Sequence, residues 1–341
     1  MVTWIMMGDK MKEKKVEKVL VTGGAGFIGS HIVDILINND FDVIVIDDLS
    51  SGNKENINKK AKFYNIDINN SRLRTIIEKE RPDYICHQAA QISVSYSVRY
   101  PLIDAQRNIM GILNLLECAS DNEVKGVVFA SSGGTVYGEP DCFPIKEKVA
   151  FNPTSPYGIA KMSSEYYLRF FCNYYNLNYI SLRYGNVYGP RQDPYGEAGV
   201  IAIFIRKMLN EEIPTINGDG EYVRDYVYVK DVANACLLSI KNMLKLAKLY
   251  KKNNLKNTFI SYNIGSGEGI SVNQLFSYLR EMIGFSMQAN YGPPRSGDVR
   301  KNILDCRMAK ELLFWEAKYN IQNGLRKTVE WFRQKAIEES N

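Results

Sequence analysis

From Lys18 onward the chain alternates short, fully apolar runs with helix-length amphipathic stretches. The runs "KVLVTG", "DVIVIDD", "AKFYNIDI", "YICHQAA", "GVVFASS" and "YISLRYGN" are too uniformly apolar for a half-exposed strand, so each predicts a strand buried on both faces. Helix-length segments between them make the repeat a βα unit, and the expected fold is an α/β, Rossmann-like doubly wound parallel sheet. In "RNIMGILNLLECAS", Ile109, Leu113 and Leu116 fall at helical spacing and predict a core-facing stripe. A longer helix is expected to open at Pro156, with Ser155 as N-cap, and to run through "YGIAKMSSEYYLRFFCNYY". Its aromatic excess reads first as core packing and second as a dimer seam.

After Asn186 the alternation gives way to loops rich in Gly, Pro and charge: "YGPRQDPYGEAG", "INGDGEYVRDY", "IGSGEGIS" and "GPPRSGDVR". They predict a smaller C-terminal α/β substrate-binding region laid over the carboxyl edge of the sheet, where open α/β folds bind ligands. The segment "KNMLKLAKLYKKNNLKNT" holds six lysines and no acid. It predicts a solvated helix with a mobile connection, ahead of contact with a membrane surface. Residues 1–17 lack an apolar signal-peptide core and are expected to be a disordered leader.

Composition narrows the class. A chain of 341 residues with 45% hydrophobic and 24% charged residues buries a large core. Its formal charge of +5 is thinly spread and forms no dense arginine cluster, so no nucleic-acid partner is expected. Cys86, Cys118, Cys142, Cys172, Cys236 and Cys306 lie far apart without a C-x-x-C pair, so neither a metal site nor a disulfide framework is expected. No stretch reaches the length of a membrane span, and a cytoplasmic protein is the expectation.

"VLVTGGAGFIGSHIVDIL" reads as strand, glycine turn and helix. Gly23, Gly26 and Gly29 fit G-x-x-G-x-x-G, while Gly24, Gly26 and Gly29 fit G-x-G-x-x-G; both spacings bring backbone close to a pyrophosphate and aim a helix N-terminus at it. "IDD" ends the next strand, with Asp47 eighteen residues past Gly29 and Asp48 beside it. A carboxylate there accepts ribose hydroxyls and repels a 2′-phosphate, which favours NAD over NADP. The expected division is an NAD-binding domain over 18–185 with return segments near 226–264, and a second region over 186–225 and 265–341.

In "SPYGIAK", Tyr157 and Lys161 stand four apart and so share a helix face. An ammonium beside a phenol stabilises the phenolate and makes tyrosine a base nearer neutrality. The pair by itself is also consistent with an ordinary surface contact. His31 and His87 are the only histidines and read as packing or hydrogen-bonding residues.

Seven motifs in order, "TGGAGFIGSH", "HQAAQISVSYS", "SSGGTVYGEP", "SPYGIAK", "LRYGNVYGPRQDPYGEAG", "GDGEYVRDYVYV" and "PPRSGDVRK", resemble the extended short-chain dehydrogenase/reductase family, and its nucleotide-sugar 4-epimerases most closely. The resemblance runs from about Lys18 to the C-terminus. It implies NAD-dependent 4-epimerisation of a UDP-sugar through a 4-keto intermediate, with Tyr157 as base and Lys161 as its electrostatic partner. The family's third hydroxyl, three residues before the Val of "VYG", is replaced here by Gly133; Ser132 is assigned the supporting hydrogen bond, with Thr135 as fallback. The resemblance also sets Phe27, Ile28, Asp67, Ile68, Gln88, Ala89, Ala90, Asn108 and Tyr184 around the dinucleotide.

On the substrate side it implies Arg224, Arg295 and Asn186 at the diphosphate, Asp298 at the uridine ribose, and backbone contacts from Gly199 and Val200. Asn302 falls beside the sugar's C2 substituent and is intermediate in size, so UDP-GlcNAc/UDP-GalNAc stays open beside UDP-glucose/UDP-galactose. UDP-glucuronate is an alternative substrate. Dehydration is disfavoured because Gly133 and Gly134 stand where dehydratases carry an acidic pair, and a non-catalytic NAD sensor is remote because Tyr157 and Lys161 are both kept. A homodimer is expected, pairing helices around Asp104 to Ser120 and Tyr157 to Tyr175.

Overall fold

The computed structural model describes residues 16–196, 199–253, 258–294 and 299–340. Arg295 and Asp298, and all but the end of the expected leader, lie outside the described residues.

The first part of the chain runs β1 (Lys18–Thr22), α1 (Phe27–Ile37), β2 (Asp42–Asp47), β3 (Lys62–Asn65), α2 (Arg72–Glu80) and β4 (Tyr84–His87). Helices α3 (Val94–Arg99) and α4 (Pro101–Ala105) follow, then a π-helical turn (Gln106–Met110) that leads into α5 (Gly111–Asp121). Next come β5 (Gly126–Ser132), α6 (Pro156–Tyr175) and β6 (Asn178–Tyr184). Beyond Gly185 lie β7 (Asn186–Tyr188), α7 (Val200–Leu209), β8 (Thr215–Asn217), β9 (Val223–Tyr228), α8 (Val229–Lys252), β10 (Ser261–Ile264), β11 (Gly269–Ser271), α9 (Val272–Ile283), β12 (Asn290–Gly292) and α10 (Ile321–Ser340).

Seven strands form one parallel sheet in the order β10-β6-β5-β4-β1-β2-β3. Apolar side chains on both faces explain this: β1, β2, β4 and β5 are buried along nearly their whole length. The order reverses between β1 and β4, so the carboxyl ends of these two strands flank the topological switch point. A three-stranded sheet (β11-β9-β7) and a two-stranded one (β12-β8) build the second region. Its separate core gathers Phe204, Ile205, Phe276, Leu279, Leu325 and Phe332 from α7, α9 and α10.

Two expectations from periodicity are corrected. The π-helical turn adds a residue to the helical repeat, so the buried face of α5 is Ile112, Leu115, Leu116 and Ala119, while Ile109 and Leu113 are only half-buried. The aromatics of α6 are mostly not core: Leu168 and Phe171 are buried, but Tyr166, Tyr167, Phe170, Tyr174 and Tyr175 are exposed. In α8, Met243, Leu246 and Tyr250 face inward and Lys241, Lys245, Lys248, Lys251 and Lys252 face solvent; residues 254–257 of the expected connection lie outside the described residues. Among the described residues, no helix is long and apolar enough to cross a membrane.

α6 is held to the sheet by a buried polar network. Arg183 of β6 donates from Nε to Glu165 Oε1 at 2.9 Å and from Nη2 to Oε2 at 2.7 Å, with both side chains essentially inaccessible. Ser131 of β5 donates to Glu165 Oε1 at 2.6 Å. Tyr137 accepts from Arg183 Nη1 at 2.8 Å and donates to Asn263 of β10 at 2.8 Å. Such a pair adds little over a packed apolar alternative, but removing one partner strands the other charge in the core. Arg183→Met is therefore expected to cost about 3–5 kcal/mol in urea unfolding; an unchanged midpoint would show that the network does not hold α6 in place.

Candidate active site

The switch point is built around backbone crowding. Gly23 follows β1 with φ of +70°, and a Cβ there would lie 2.7 Å from the amide nitrogen of Ala89 after β4. Gly29, in the first turn of α1, lies so near the Gly23 carbonyl oxygen that a Cβ would come within 2.0 Å of it. The turn thus brings the N-terminus of α1 directly over the sheet edge, and its N-cap Gly26 contributes no side chain to its amides. Those amides and the helix dipole are arranged to meet an anion. At the end of β2, Asp47 accepts from the amides of Ala25 (3.0 Å) and Leu49 (2.8 Å), which fixes its carboxylate beside the turn. Burial pushes its acidity to higher pH, and these amide bonds work against that shift.

These elements line a cleft of about 980 Å³. Its walls carry Gly23, Gly26, Phe27, Ile28 and Gly29 from the first turn, Asp47 and Asp48 from the second, and Asp67 and Ile68 from the third. Gln88, Ala89 and Ala90 follow from β4, with Tyr157, Lys161 and Tyr184 at the inner end. Of the residues expected around a dinucleotide, Asn108 alone is off this wall. It stands behind Gln91, which is on the wall, accepting from the Gln91 amide at 2.9 Å and donating to its carbonyl at 3.0 Å.

At the inner end, Ser155 caps α6 by accepting from Gly158 at 3.2 Å, Pro156 opens its first turn, and the Tyr157 amide donates to Ser97 at 3.2 Å. Lys161 is buried, donates to the Ala130 carbonyl at 2.8 Å, and lies 4.9 Å over the Phe129 ring and 5.6 Å over that of Tyr157. Burial pulls the Lys161 ammonium down to about 8, while the negative charge of Asp104 opposes that shift. Burial likewise pushes the Tyr157 phenol up, Asp104 adds to the rise, and a hydrogen bond with Ser132 lowers it. Desolvation of the phenolate is the largest effect on the phenol and opposes the lowering expected from an adjacent ammonium. His31 and His87 are held neutral by burial, their pKa values lowered to about 4 and about 3, and they bond to the Pro190 carbonyl (3.0 Å) and Thr22 (2.7 Å).

The missing third hydroxyl has a steric explanation. A Cβ at Gly133 would lie 2.7 Å from a methyl of buried Leu304, so a side chain there would have to displace that leucine, and the neighbouring Ser132 is the hydroxyl that acts on the Tyr157 phenol. Thr135 has a buried hydroxyl with no hydrogen-bond partner among the described groups. Asn302, fully buried, donates to the Gly133 carbonyl at 2.9 Å and so braces the same turn. Asn186 lies on β7, Arg224 on β9 with its guanidinium 5.8 Å from the Tyr222 ring, and Gly199 (φ +111°) caps α7 ahead of Val200; none of these, nor Ser132 or Asn302, is on the cleft wall.

Several wall residues carry no such signal in the sequence. Trp331, Phe332 and Lys335 of α10 close the far end of the cleft, and Lys335 meets Glu55 at 3.3 Å. No local signal announces a contact across so much of the chain. Asp104, by contrast, stands four residues before Asn108 on one helical run, a spacing that could have linked them.

A glycine turn and a fixed carboxylate at one switch point, with a half-buried tyrosine and a buried lysine four residues apart on the helix after β5, define a dinucleotide-binding α/β enzyme of the short-chain dehydrogenase/reductase type. The chain belongs to the NAD dependent epimerase/dehydratase family, whose profile matches residues 19–265. It is similar to the UDP-glucose 4-epimerase of Thermotoga maritima, solved with UDP-glucose: 51% identity, TM-score 0.87, covering 94% of this chain and 99% of that one. The Thermus thermophilus UDP-glucose 4-epimerase, solved with NAD, is 40% identical with a TM-score of 0.83, over 93% and 99% of the two chains. The UDP-N-acetylglucosamine 4-epimerase of Methanobrevibacter ruminantium, in complex with UDP-N-acetylmuramic acid, is 38% identical with a TM-score of 0.85, over 94% and 100%.

Ser132→Ala is expected to lower kcat about 100-fold, within the range for a group that assists proton transfer, without loss of cofactor. Adding Gly133→Ser, which returns a hydroxyl to the family's usual position, is expected not to restore activity because Leu304 occupies that space. Steady-state kinetics of the single and double variants check this; full rescue by the second exchange would contradict it.

Proposed function

We propose that the protein is an NAD-dependent UDP-sugar 4-epimerase acting first on UDP-glucose and UDP-galactose. The observation that carries this reading is Tyr157, with the buried Lys161 ammonium 5.6 Å over its ring, on the wall of the cleft that the glycine turn also lines. The cleft fits a dinucleotide on its own geometry: Gly23 packs backbone to backbone against Ala89 and so brings the uncapped N-terminus of α1 to the wall, and Gln88 of the wall holds a buried Nε2 with no hydrogen-bond partner among the described residues. Asp47 stands where an adenosine ribose would be recognised. NAD, when bound there, supplies a two-electron acceptor and donor for the sugar's C4.

The chain's own residues handle the proton and the orientation. Tyr157 as phenolate removes the C4 hydroxyl proton, Ser132 steadies that phenolate, and Lys161 supplies the positive charge that favours it. The 4-keto sugar then turns over within the site, and Tyr157 returns its proton to the C4 oxygen after the opposite face has been reduced. Arg224, with Arg295 and Asn186, is assigned to the sugar-nucleotide diphosphate, Asp298 to the uridine ribose, and Gly199 and Val200 to backbone contacts. Asn302 limits the space near C2 through its tie to Gly133.

A second substrate, UDP-GlcNAc/UDP-GalNAc, is supported by likeness to the Methanobrevibacter enzyme across nearly the whole chain. UDP-glucuronate is the third sugar to test. A homodimer is proposed on the outward aromatics of α6 together with Val98, Leu102, Ile103 and Met110 on and beside α3 and α4, which leave a broad apolar face exposed.

Proton NMR of the protein with UDP-galactose, UDP-GlcNAc and UDP-glucuronate in turn is expected to show the C4 epimer of the first, and its rates rank the others. Tyr157→Phe is expected to bind NAD as the parent does and to lose turnover at least 1,000-fold, about the reach of general acid–base assistance. Near-parental activity in that variant would overturn the assignment of the base.

A further inference from the structure

Asp104 is a buried carboxylate that none of the roles above uses. It is 1% exposed, at the end of a short helix packed against α6. Both of its donors address the same oxygen: Gln91 Nε2 at 2.7 Å and Asn108 Nδ2 at 3.0 Å reach Oδ1. Oδ2 is buried with no hydrogen-bond partner among the described groups. Burial pushes the Asp104 carboxyl upward, but the Gln91 hydrogen bond, the Lys161 charge and the Asn108 hydrogen bond all favour its ionised form, and two donors with no acceptor suit a carboxylate whose second oxygen is shielded from water.

The ionisable groups that share this interior are few. From α6 they are Tyr157 and Lys161; from β4, His87 is neutral and bonded to Thr22. On the adjoining helical run, Arg99, Tyr100 and Arg107 are exposed, and Tyr96 is half-buried. Among the described residues, Asp104, on the short helix packed against α6, is the charged residue that acts on both members of the pair, disfavouring the Tyr157 phenolate and favouring the Lys161 ammonium.

We propose that Asp104 is an electrostatic positioning residue, a fixed negative charge that sets the pH range over which the Tyr157–Lys161 pair can exchange a proton. It does so without touching substrate, and through Gln91 and Asn108 it also braces the cofactor side of the cleft. The proposal rests on the acid–base roles given above to Tyr157 and Lys161.

The sign of the effect follows from the charge. Removing a negative charge makes the phenolate easier to form and the ammonium easier to lose, so both pKa values fall. In Asp104→Asn, which keeps an oxygen for Gln91 and Asn108, both limbs of the kcat against pH profile are expected to move to lower pH by about one unit. Asp104→Glu retains the charge and is expected to keep the parental limbs. Asp104→Ala serves if the Asn variant does not fold, since it removes the same charge and must show the same displacement. Limbs that stay in place in the charge-free variant, however much kcat falls, would overturn the proposal and leave Asp104 a packing residue. The parent and Tyr157→Phe, measured alongside, separate this from failure of the underlying reading: an active parent and an inactive Phe variant uphold that reading whatever Asp104 does.

Discussion

The site depends on how α6 is seated. Tyr157 and Lys161 lie in its first two turns, and Ser132 ends β5, so the three meet only if the helix lies at one height and rotation against the sheet. That placement is specified by a buried charge pair with little freedom: Arg183 and Glu165 form two bonds in fixed geometry, and Ser131 adds a third. Apolar packing alone tolerates small slides of a helix along a sheet. A forked guanidinium against a carboxylate does not, because a slide breaks both bonds in a region without water to replace them.

Seating α6 this deeply also sets its chemistry. Burial raises the tyrosine and lowers the lysine, so each member's charged form is disfavoured by the same desolvation. What shifts the balance must come from specific neighbours: the Ser132 hydrogen bond on one side and the field of Asp104 on the other. The crowded glycine turn performs a comparable service along the cleft, where the Gly23–Ala89 and Gly29–Gly23 approaches leave no room for side chains at those two glycines.

Local features were legible in the sequence. The parallel strands, the glycine turn, Asp47 and the Ser155–Pro156 helix start are each specified within a few residues, and the structure places them as read, except that β3 lies at the sheet edge and is only partly buried. Features that depend on distant partners were not. Gly133 could be seen to depart from the family's pattern, but the reason is Leu304, which only the fold brings near. The π-helical turn left Ile109 and Leu113 half-buried because an extra residue in one turn leaves no mark in a periodicity count. The aromatics of α6 pointed outward because a helix rich in tyrosine has the same pattern whether its partner is its own core or another surface. Asp104 was missed because its importance lies in a charge shared with residues more than fifty positions away.

The central claim is that C4 loses and regains the same hydrogen while Tyr157 moves only the hydroxyl proton. UDP-galactose carrying deuterium at C4, incubated with the enzyme in ordinary water, tests it most directly. The account predicts UDP-glucose that retains the deuterium at C4, by mass spectrometry and NMR. Wash-out of the label into solvent would mean that C4 exchanges its hydrogen as a proton, and would contradict the account.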